Sequence, residues 1–154
     1  MPLQIGNSAP DFTLPDQEGN DVTLSTLIGS RVVLYFYPKD DTPGCTKEAC
    51  NFRDNWAIFE EKGIKVFGIS KDGSNSHLKF IDKHNLPFTL LTDSEPCPVA
   101  SSYGSYGMKK FMGREYMGMM RHTFVINSQG EIELIYLKVK ADKMALQIIS
   151  DLGL

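Results

Sequence analysis

Cysteine, histidine and tryptophan are all scarce in this chain of 154 residues, which contains three, three and one of them. Three cysteines are too few for the disulfide scaffold of a small secreted protein. The first residues, MPLQIGNSAPDF, lack the basic start and apolar core of a secretory signal. We therefore expect a cytoplasmic protein, in a compartment where a cysteine is catalytic, metal-binding or simply buried.

Long apolar runs and an excess of one charge are also lacking. The net charge is −3 and no cluster of Lys and Arg is dense, so we expect neither a nucleic-acid surface nor a surface for acidic membranes. No apolar run approaches the length of a membrane span. The cysteines and histidines lack the close paired spacings of a zinc site, so we expect no metal ion.

The composition that remains is ordinary for a globular protein, with 42% apolar and 23% charged residues. The length suits a single domain over residues 1–154. Apolar periodicity and turn residues predict strands at 12–14, 22–24, 32–37, 64–70, 89–91, 122–126 and 131–137, and helices at 42–62, 74–85 and 140–152. This order predicts an α/β fold with a central mixed sheet, helices on both faces and an N-terminal β-hairpin.

The start of the first long helix is the predicted place for chemistry. Ligands bind at the C-terminal ends of strands in such sheets, and this helix begins where strand 32–37 ends. Thr42 is predicted to cap the helix and Pro43 to occupy its first position. Cys45 then lies near the free N–H groups and the positive pole of the helix, where a thiolate is favoured. The alternative is that Cys45 only packs beneath the helix.

Helical phase separates Cys45 from the second cysteine. Cys45, Ala49, Phe52, Trp56 and Phe59 follow one another by four or three residues, which predicts a single stripe facing the sheet.

Cys50 lies on a different face. In an intact helix the Cα atoms of Cys45 and Cys50 would be roughly 8.7 Å apart, from standard rise and radius. This exceeds the limit of roughly 7 Å for a disulfide. A bond between them requires the first turns to unwind, and we expect the polar Lys47, Glu48 and Asn51 to lose little by exposure to water.

A fast thiol reaction also needs a donor for the developing charge. A free thiol is already several per cent ionised at neutral pH, so complete ionisation raises the thiolate concentration only about tenfold. Fixed donors must supply the larger effect. Of the four arginines, Arg31 is predicted at the wrong end of the sheet, Arg53 two turns from Cys45, and Arg114 in a loop. Arg121 precedes a strand that would bring it beside the helix start if that strand is antiparallel, so we favour Arg121.

These residues resemble a known signature. The pattern Pro38-x3-Thr42-x2-Cys45, continued by Glu48, is similar to the active-site signature of the peroxiredoxins. The run FYPKDDTPGCTKEACNFRD, with its Cys-x4-Cys pair, resembles the bacterioferritin comigratory protein, or peroxiredoxin Q, subfamily. Further similar stretches are APDFTLPDQEG, VFGIS, FTLLTD, YGMKKFMGREYMG and RHTFVIN, so the resemblance covers nearly the whole chain.

The resemblance implies a thioredoxin-like fold and a thiol-dependent peroxidase that needs no cofactor. It implies that Cys45 is the peroxidatic cysteine, Cys50 the resolving cysteine, and Thr42 and Arg121 the residues that activate the peroxide. Pro38 corresponds to the residue that shields the pocket, and Gly44 and Glu48 are expected to support it. The implied partners are a hydroperoxide substrate and thioredoxin or a glutaredoxin-like dithiol protein as reductant.

Several residues carry weaker interpretations. Cys97, flanked by prolines, is interpreted as buried or incidental, with an alternative role as resolving thiol. The methionines are interpreted as irregular hydrophobic loop packing rather than as a soft-metal site, and His77 and His84 as solvent-facing. His122 is interpreted as a plain strand position, with modulation of the adjacent Arg121 as the alternative. The members of the methionine group are Met108, Met112, Met117, Met119 and Met120.

Three functions remain open at this level. The first is a peroxidase with an intramolecular disulfide cycle. The second is a one-cysteine peroxidase whose Cys45 is resolved by an external thiol. The third is a non-enzymatic thioredoxin-fold module that binds a partner or senses redox state, although such a module has no use for Thr42 and Arg121. The sequence favours the first, in a monomer, because no late cysteine is available for an intersubunit bond.

Overall fold

The computed structural model describes residues 2–154. It contains nine strands, β1 (Thr13–Pro15), β2 (Asp21–Thr23), β3 (Val32–Phe36), β4 (Lys65–Ser70), β5 (Thr89–Thr92), β6 (Tyr106–Phe111), β7 (Arg114–Met119), β8 (His122–Ile126) and β9 (Ile132–Tyr136). The α-helices are α1 (Pro43–Asp54), α2 (Trp56–Glu61), α3 (Ser74–His84), α4 (Pro98–Ser102) and α5 (Met144–Asp151). Short 3-10 turns occupy Leu24–Leu27 and Ala141–Lys143. Within the described residues, no helix is long and apolar enough to cross a membrane.

Five strands form the central sheet in the order β5-β4-β3-β8-β9. The pairs β3–β4 and β4–β5 are parallel, whereas β3–β8 and β8–β9 are antiparallel. All five residues of β3 are buried, as expected for a strand covered on both faces. The predicted α/β class with a central mixed sheet is confirmed, and the predicted N-terminal hairpin is the pair β1–β2.

Two hydrophobic clusters cover the two faces of this sheet. Val33, Tyr35 and Tyr37 point to one cluster, which contains residues of α1, α3 and α5. Val32 and Leu34 point to the other, which contains the N-terminal hairpin and α4. This alternation follows from the two-residue period of a strand. Cys45 belongs to the first cluster.

The first long helix is interrupted, which corrects the prediction of one helix over 42–62. Asn55 leaves helical geometry, with φ −110° and ψ 12°, and separates α1 from α2. Its side-chain amide donates to the carbonyl of Asn51 at 2.8 Å, a local bond of the kind that competes with helical geometry. Trp56 is only half-buried, whereas Phe52 and Phe59 are fully buried as predicted.

A protruding hairpin replaces the loop predicted around the methionines. Strands β6 and β7 pair in antiparallel register and form their own two-stranded sheet. The turn residues Met112 and Gly113 both have positive φ, 49° and 79°, which matches the tight turns that suit a hairpin. Met108, Met112 and Met117 are exposed, so the interpretation as hydrophobic packing was wrong for them.

Candidate active site

The loop between β3 and α1 is anchored by a buried polar cluster. Asp40 is buried, and its carboxylate accepts hydrogen bonds from the hydroxyls of Tyr37 and Ser76. Nδ1 of His77 lies 2.7 Å from the same carboxylate, and Nε2 lies 3.1 Å from the carbonyl oxygen of Leu91. The cluster therefore ties the loop that precedes Cys45 to α3 and β5.

This cluster is a feature that sequence reasoning missed. His77 has no exposed surface, so the prediction that it faces solvent was wrong. His84 is also largely covered, with a side chain 19% exposed and 3.2 Å from Asp41. The available signal was helical phase, because Phe80 lies three residues after His77 and is a core position.

Cys45 lies at the first turn of α1 with 1% of its surface exposed. Nη2 of Arg121 lies 3.3 Å from its Sγ atom. Arg121 reaches this position because β8 runs antiparallel to β3. Gly44 makes the approach possible, since a Cβ atom at residue 44 would lie only 3.0 Å from Nη2 of Arg121. The structure thus brings a cation to the sulfur at the helix start.

Glu48 lies one turn after Cys45 and has no exposed surface, contrary to the expectation that it loses little by exposure. Its Oε1 atom accepts a hydrogen bond from Nη1 of Arg121 at 3.0 Å. Burial raises the pKa of this carboxyl to about 7, against the opposing effect of Arg121. Arg121 therefore contacts two acids at once, and the pKa of its guanidinium rises, because the charges of Cys45 and Glu48 outweigh its own burial.

Thr42 stands at the N-cap of α1 with extended backbone angles, φ −94° and ψ 156°. Its carbonyl accepts the first helical hydrogen bond, from the N–H of Thr46 at 2.8 Å. Its hydroxyl donates to the carbonyl of Lys39 at 2.9 Å and makes no capping bond, which corrects the prediction of a side-chain cap. Pro38 lies half-buried in the same loop.

Cys50 lies in the second half of α1 and is only partly exposed. Cys45 and Cys50 are both free thiols here. The next residue, Asn51, accepts a hydrogen bond from the N–H of Ala145 through Oδ1 at 2.7 Å. The helical backbone between the two cysteines is intact, so the two thiols do not meet in this conformation.

The other arginines lie away from this sulfur. Arg31 forms an ion pair with Glu133 at 2.8 Å, and Arg53 donates to the carbonyl of His84. Arg114 is exposed and stands opposite Phe111 beside the tip of the β6–β7 hairpin.

Cys97 is buried on the opposite face of the sheet, in the cluster that excludes Cys45. Its thiol donates to the carbonyl of Asp93 at 3.3 Å. Burial, aided by the charges of Asp93 and Glu95, raises the pKa of this thiol to about 11. These contacts agree with the interpretation of Cys97 as a buried residue.

Over residues 2–154, no group of three or more His, Cys, Asp or Glu side chains is arranged to hold a metal ion. His122 is the first residue of β8, and its Nδ1 atom lies 2.9 Å from the hydroxyl of Ser105.

Known proteins with similar sequences cover almost the whole chain. The AhpC/TSA family model matches residues 5–135. A putative peroxiredoxin bcp of Coxiella burnetii is 47% identical over 152 residues, which are 99% of this chain and 100% of that protein. Peroxiredoxin Bcp of Bacillus subtilis is 44% identical, with 99% of each chain covered.

Solved structures with the same architecture include two bacterial relatives. A Cys-to-Ser mutant of peroxiredoxin Q from Xylella fastidiosa superposes with a TM-score of 0.91 at 27% identity, covering 99% of this chain and 97% of that one. The bacterioferritin comigratory protein of Xanthomonas campestris, studied for its alkyl peroxide reduction activity, superposes with a TM-score of 0.85 at 30% identity. That alignment covers 92% of this chain and 90% of the other.

A thioredoxin-type sheet with a buried thiol and a guanidinium at the start of its first helix is the architecture of a thiol peroxidase. The chain belongs to the AhpC/TSA family, and within it to the Bcp or peroxiredoxin Q group of peroxiredoxins. The fold and the enzyme class predicted from the sequence are thereby confirmed.

Proposed function

We propose that Cys45 is the peroxidatic cysteine of this enzyme. The Cys45 thiolate attacks the distal oxygen of a hydroperoxide, so that an S–O bond forms while the O–O bond breaks. The sulfur is oxidised to a sulfenic acid and the peroxide is reduced to an alcohol, or to water when the substrate is hydrogen peroxide. The observation that carries this proposal is the contact of 3.3 Å between Sγ of Cys45 and Nη2 of Arg121.

Arg121 has the role of stabilising the charge that develops on the peroxide oxygens. Its guanidinium is held by Glu48 and is only 23% exposed, so it requires little reorganisation during the reaction. Thr42 stands at the same helix start and is proposed to orient the peroxide, with Pro38 shielding the pocket. Gly44 supports this arrangement because it leaves room for Arg121.

Cys50 is proposed to resolve the sulfenic acid. Its thiolate attacks the sulfur of Cys45, water leaves, and an intramolecular disulfide forms. Thioredoxin or a glutaredoxin-like dithiol protein then reduces this disulfide by exchange. Both cysteines belong to one chain, so the cycle needs no second subunit, and we propose a monomer in the cytoplasm.

The proposed substrates are hydrogen peroxide and organic hydroperoxides. The relative from Xanthomonas campestris supports the organic class, because it was studied for alkyl peroxide reduction.

The test is peroxide-dependent consumption of a thioredoxin-type reductant by the purified protein, with Cys45→Ser as the matched variant. We expect turnover by the parent and none by Cys45→Ser, although both are folded by circular dichroism. Turnover that persists in Cys45→Ser contradicts the assignment. Turnover with an external thiol that is unchanged in Cys50→Ser would instead indicate a one-cysteine cycle, and no turnover by the parent would indicate a binding or sensing module.

A further inference from the structure

The buried pocket around Cys45 contains two acids and one guanidinium. Cys45 and Glu48 are 1% and 0% exposed. Among the described residues, Arg121 is the only cation that contacts either of them, through Nη2 to the sulfur and Nη1 to the carboxyl. The charge of Lys109 also acts on Cys45, but its ammonium does not contact the sulfur and donates to the carbonyl of Met119 at 3.0 Å.

The second carboxyl oxygen of Glu48, Oε2, does not form a hydrogen bond with any described residue. This atom and the hydroxyls of Thr123 and Tyr35 are buried, and within residues 2–154 none of the three has a hydrogen-bond partner. Tyr35 and Thr123 are register partners on β3 and β8, so their side chains share the face of the sheet that α1 covers. Asp40 is a further negative charge acting on Tyr35.

A second negative charge in this pocket is therefore energetically unfavourable. A buried carboxylate oxygen without a donor loses the hydrogen bonds that water would supply. A protonated carboxyl carries no charge that burial would penalise, and the single positive charge of Arg121 is then matched by the thiolate alone. The burial that raises the pKa of Glu48 to about 7 acts in the same direction.

We propose that Glu48 is the proton store of the peroxidase reaction: it is protonated while Cys45 carries the thiolate charge, and it becomes the ionised partner of Arg121 when the sulfur loses that charge. The proposal rests on the role of Cys45 given above. The proposal gives Glu48 the supply of a proton and the balance of charge at Arg121; its carboxyl contacts Arg121 and not the sulfur that reacts.

The proposed step balances in atoms, electrons and charge. The thiolate, the hydroperoxide and the carboxylic acid of Glu48 give the sulfenic acid, the alcohol and the carboxylate of Glu48. The sulfur loses two electrons and the peroxide gains them, and the leaving alkoxide gains one proton while Glu48 releases one. Arg121 has one anionic partner before the step and one after it. Cys45 and Glu48 are therefore never both negatively charged against the single positive charge of Arg121.

The experiment is infrared difference spectroscopy of the carbonyl stretch of protonated carboxyl groups. It uses the Cys50→Ser protein, in which the sulfenic acid of Cys45 cannot form the disulfide. Glu48→Gln in the same background identifies the band of Glu48. We expect the reduced protein to show this band, and one equivalent of peroxide to abolish it as the sulfenic acid forms.

A second variant measures the coupling directly. In Cys45→Ser no thiolate competes for Arg121, so we expect the proton affinity of Glu48 to be at least about tenfold lower than in the reduced Cys50→Ser protein. Equal titration midpoints in the two proteins would overturn the proposal.

Proton uptake from the solvent, measured with a pH indicator dye, tests the same proton release by Glu48 without infrared spectra. Per sulfenic acid formed, Glu48→Gln should take up about one proton more from solvent than the protein that retains Glu48. Equal proton uptake, or a carbonyl band of Glu48 that is unchanged once the sulfenic acid is confirmed by mass, contradicts the role of Glu48 and leaves the role of Cys45 intact. Failure to form any sulfenic acid at Cys45 contradicts the proposed function itself.

Discussion

At the scale of single residues, the site depends on how closely one guanidinium approaches one sulfur. Arg121 reaches Cys45 because Gly44 has no side chain in its path, and Glu48 holds the opposite side of the guanidinium. Complete ionisation of a free thiol raises the thiolate concentration only about tenfold at neutral pH. A fixed donor to the developing charge raises the reaction rate about a hundredfold or more. We therefore propose that the fixed donor is the larger effect.

Replacement of Arg121 should lower the rate constant by more than a change in thiol ionisation could explain. We expect Arg121→Ala to lower the second-order rate constant with peroxide by about a hundredfold, for loss of one donor to the developing charge. Arg114→Ala is the matched control, because Arg114 is exposed on the hairpin. Stopped-flow measurement of sulfenic acid formation compares the two variants. A smaller loss in Arg121→Ala than in Arg114→Ala would move the role to Arg114.

Glu48 also predicts a pH dependence of stability. Its pKa rises from 4.5 to about 7 in the folded chain, so between these values the folded protein binds a proton that the unfolded chain has lost. Stability therefore falls as the pH rises through this window, by about 3 kcal/mol in total.

Urea unfolding of the reduced parent and of Glu48→Gln at pH 4.5 and pH 8 measures this contribution. Titrating groups other than Cys45, which is coupled to Glu48 through Arg121, are common to both proteins, so the difference between the two reports on Glu48 and this coupling. We expect the parent to lose stability relative to Glu48→Gln as the pH rises. A parent that gains stability relative to the variant would show that Glu48 is ionised at low cost.

At the scale of elements, α1 has the proposed peroxidatic cysteine in its first turn and a break in the helix at its end. The Asp40 cluster fixes the loop before the helix. Asn55 separates α1 from α2. Phe52 is fully buried, and its ring lies 4.9 Å from the ring of Tyr35, so exposing it costs a few kcal/mol. The first turns can therefore unwind between two fixed points.

Hydrogen exchange tests this movement. A Cys45–Cys50 disulfide cannot form within an intact helix, so we expect residues 44–52 to lose protection after oxidation by one equivalent of peroxide. Protection from Trp56 onward should be retained, because α2 is a separate element. Equal protection of residues 44–52 in the reduced and oxidised proteins, with the disulfide confirmed by mass, would refute the unwinding.

The sequence predicted the elements whose signals are local or periodic. The buried β3 follows from a continuous apolar run, and the position of Arg121 follows from the antiparallel β8. The β6–β7 hairpin was missed because Met112 and Gly113 are not the Asn-Gly or Asp-Gly pair typical of such turns. The burial of His77 and Glu48 was missed because polar side chains on helices are usually exposed. Only the tertiary contacts with Asp40 and Arg121 explain those two positions.

At the scale of the whole molecule, the sheet separates the two cysteines of α1, the proposed redox pair, from Cys97. Cys45 faces the cluster that contains α1 and α5, whereas Cys97 is buried in the cluster on the other face. Contact between Cys45 and Cys97 would require the sheet to open. Cys50 needs only a local change in one helix to reach Cys45. The architecture thus favours a resolving thiol from α1 of the same chain.

The pairing of cysteines after one equivalent of peroxide tests this account most directly. A peptide map under non-reducing conditions, read by mass spectrometry, should show a disulfide between Cys45 and Cys50 within one chain, with Cys97 free. A Cys45–Cys97 disulfide, or a sulfenic acid that persists at Cys45 while Cys50 remains a thiol, would contradict it.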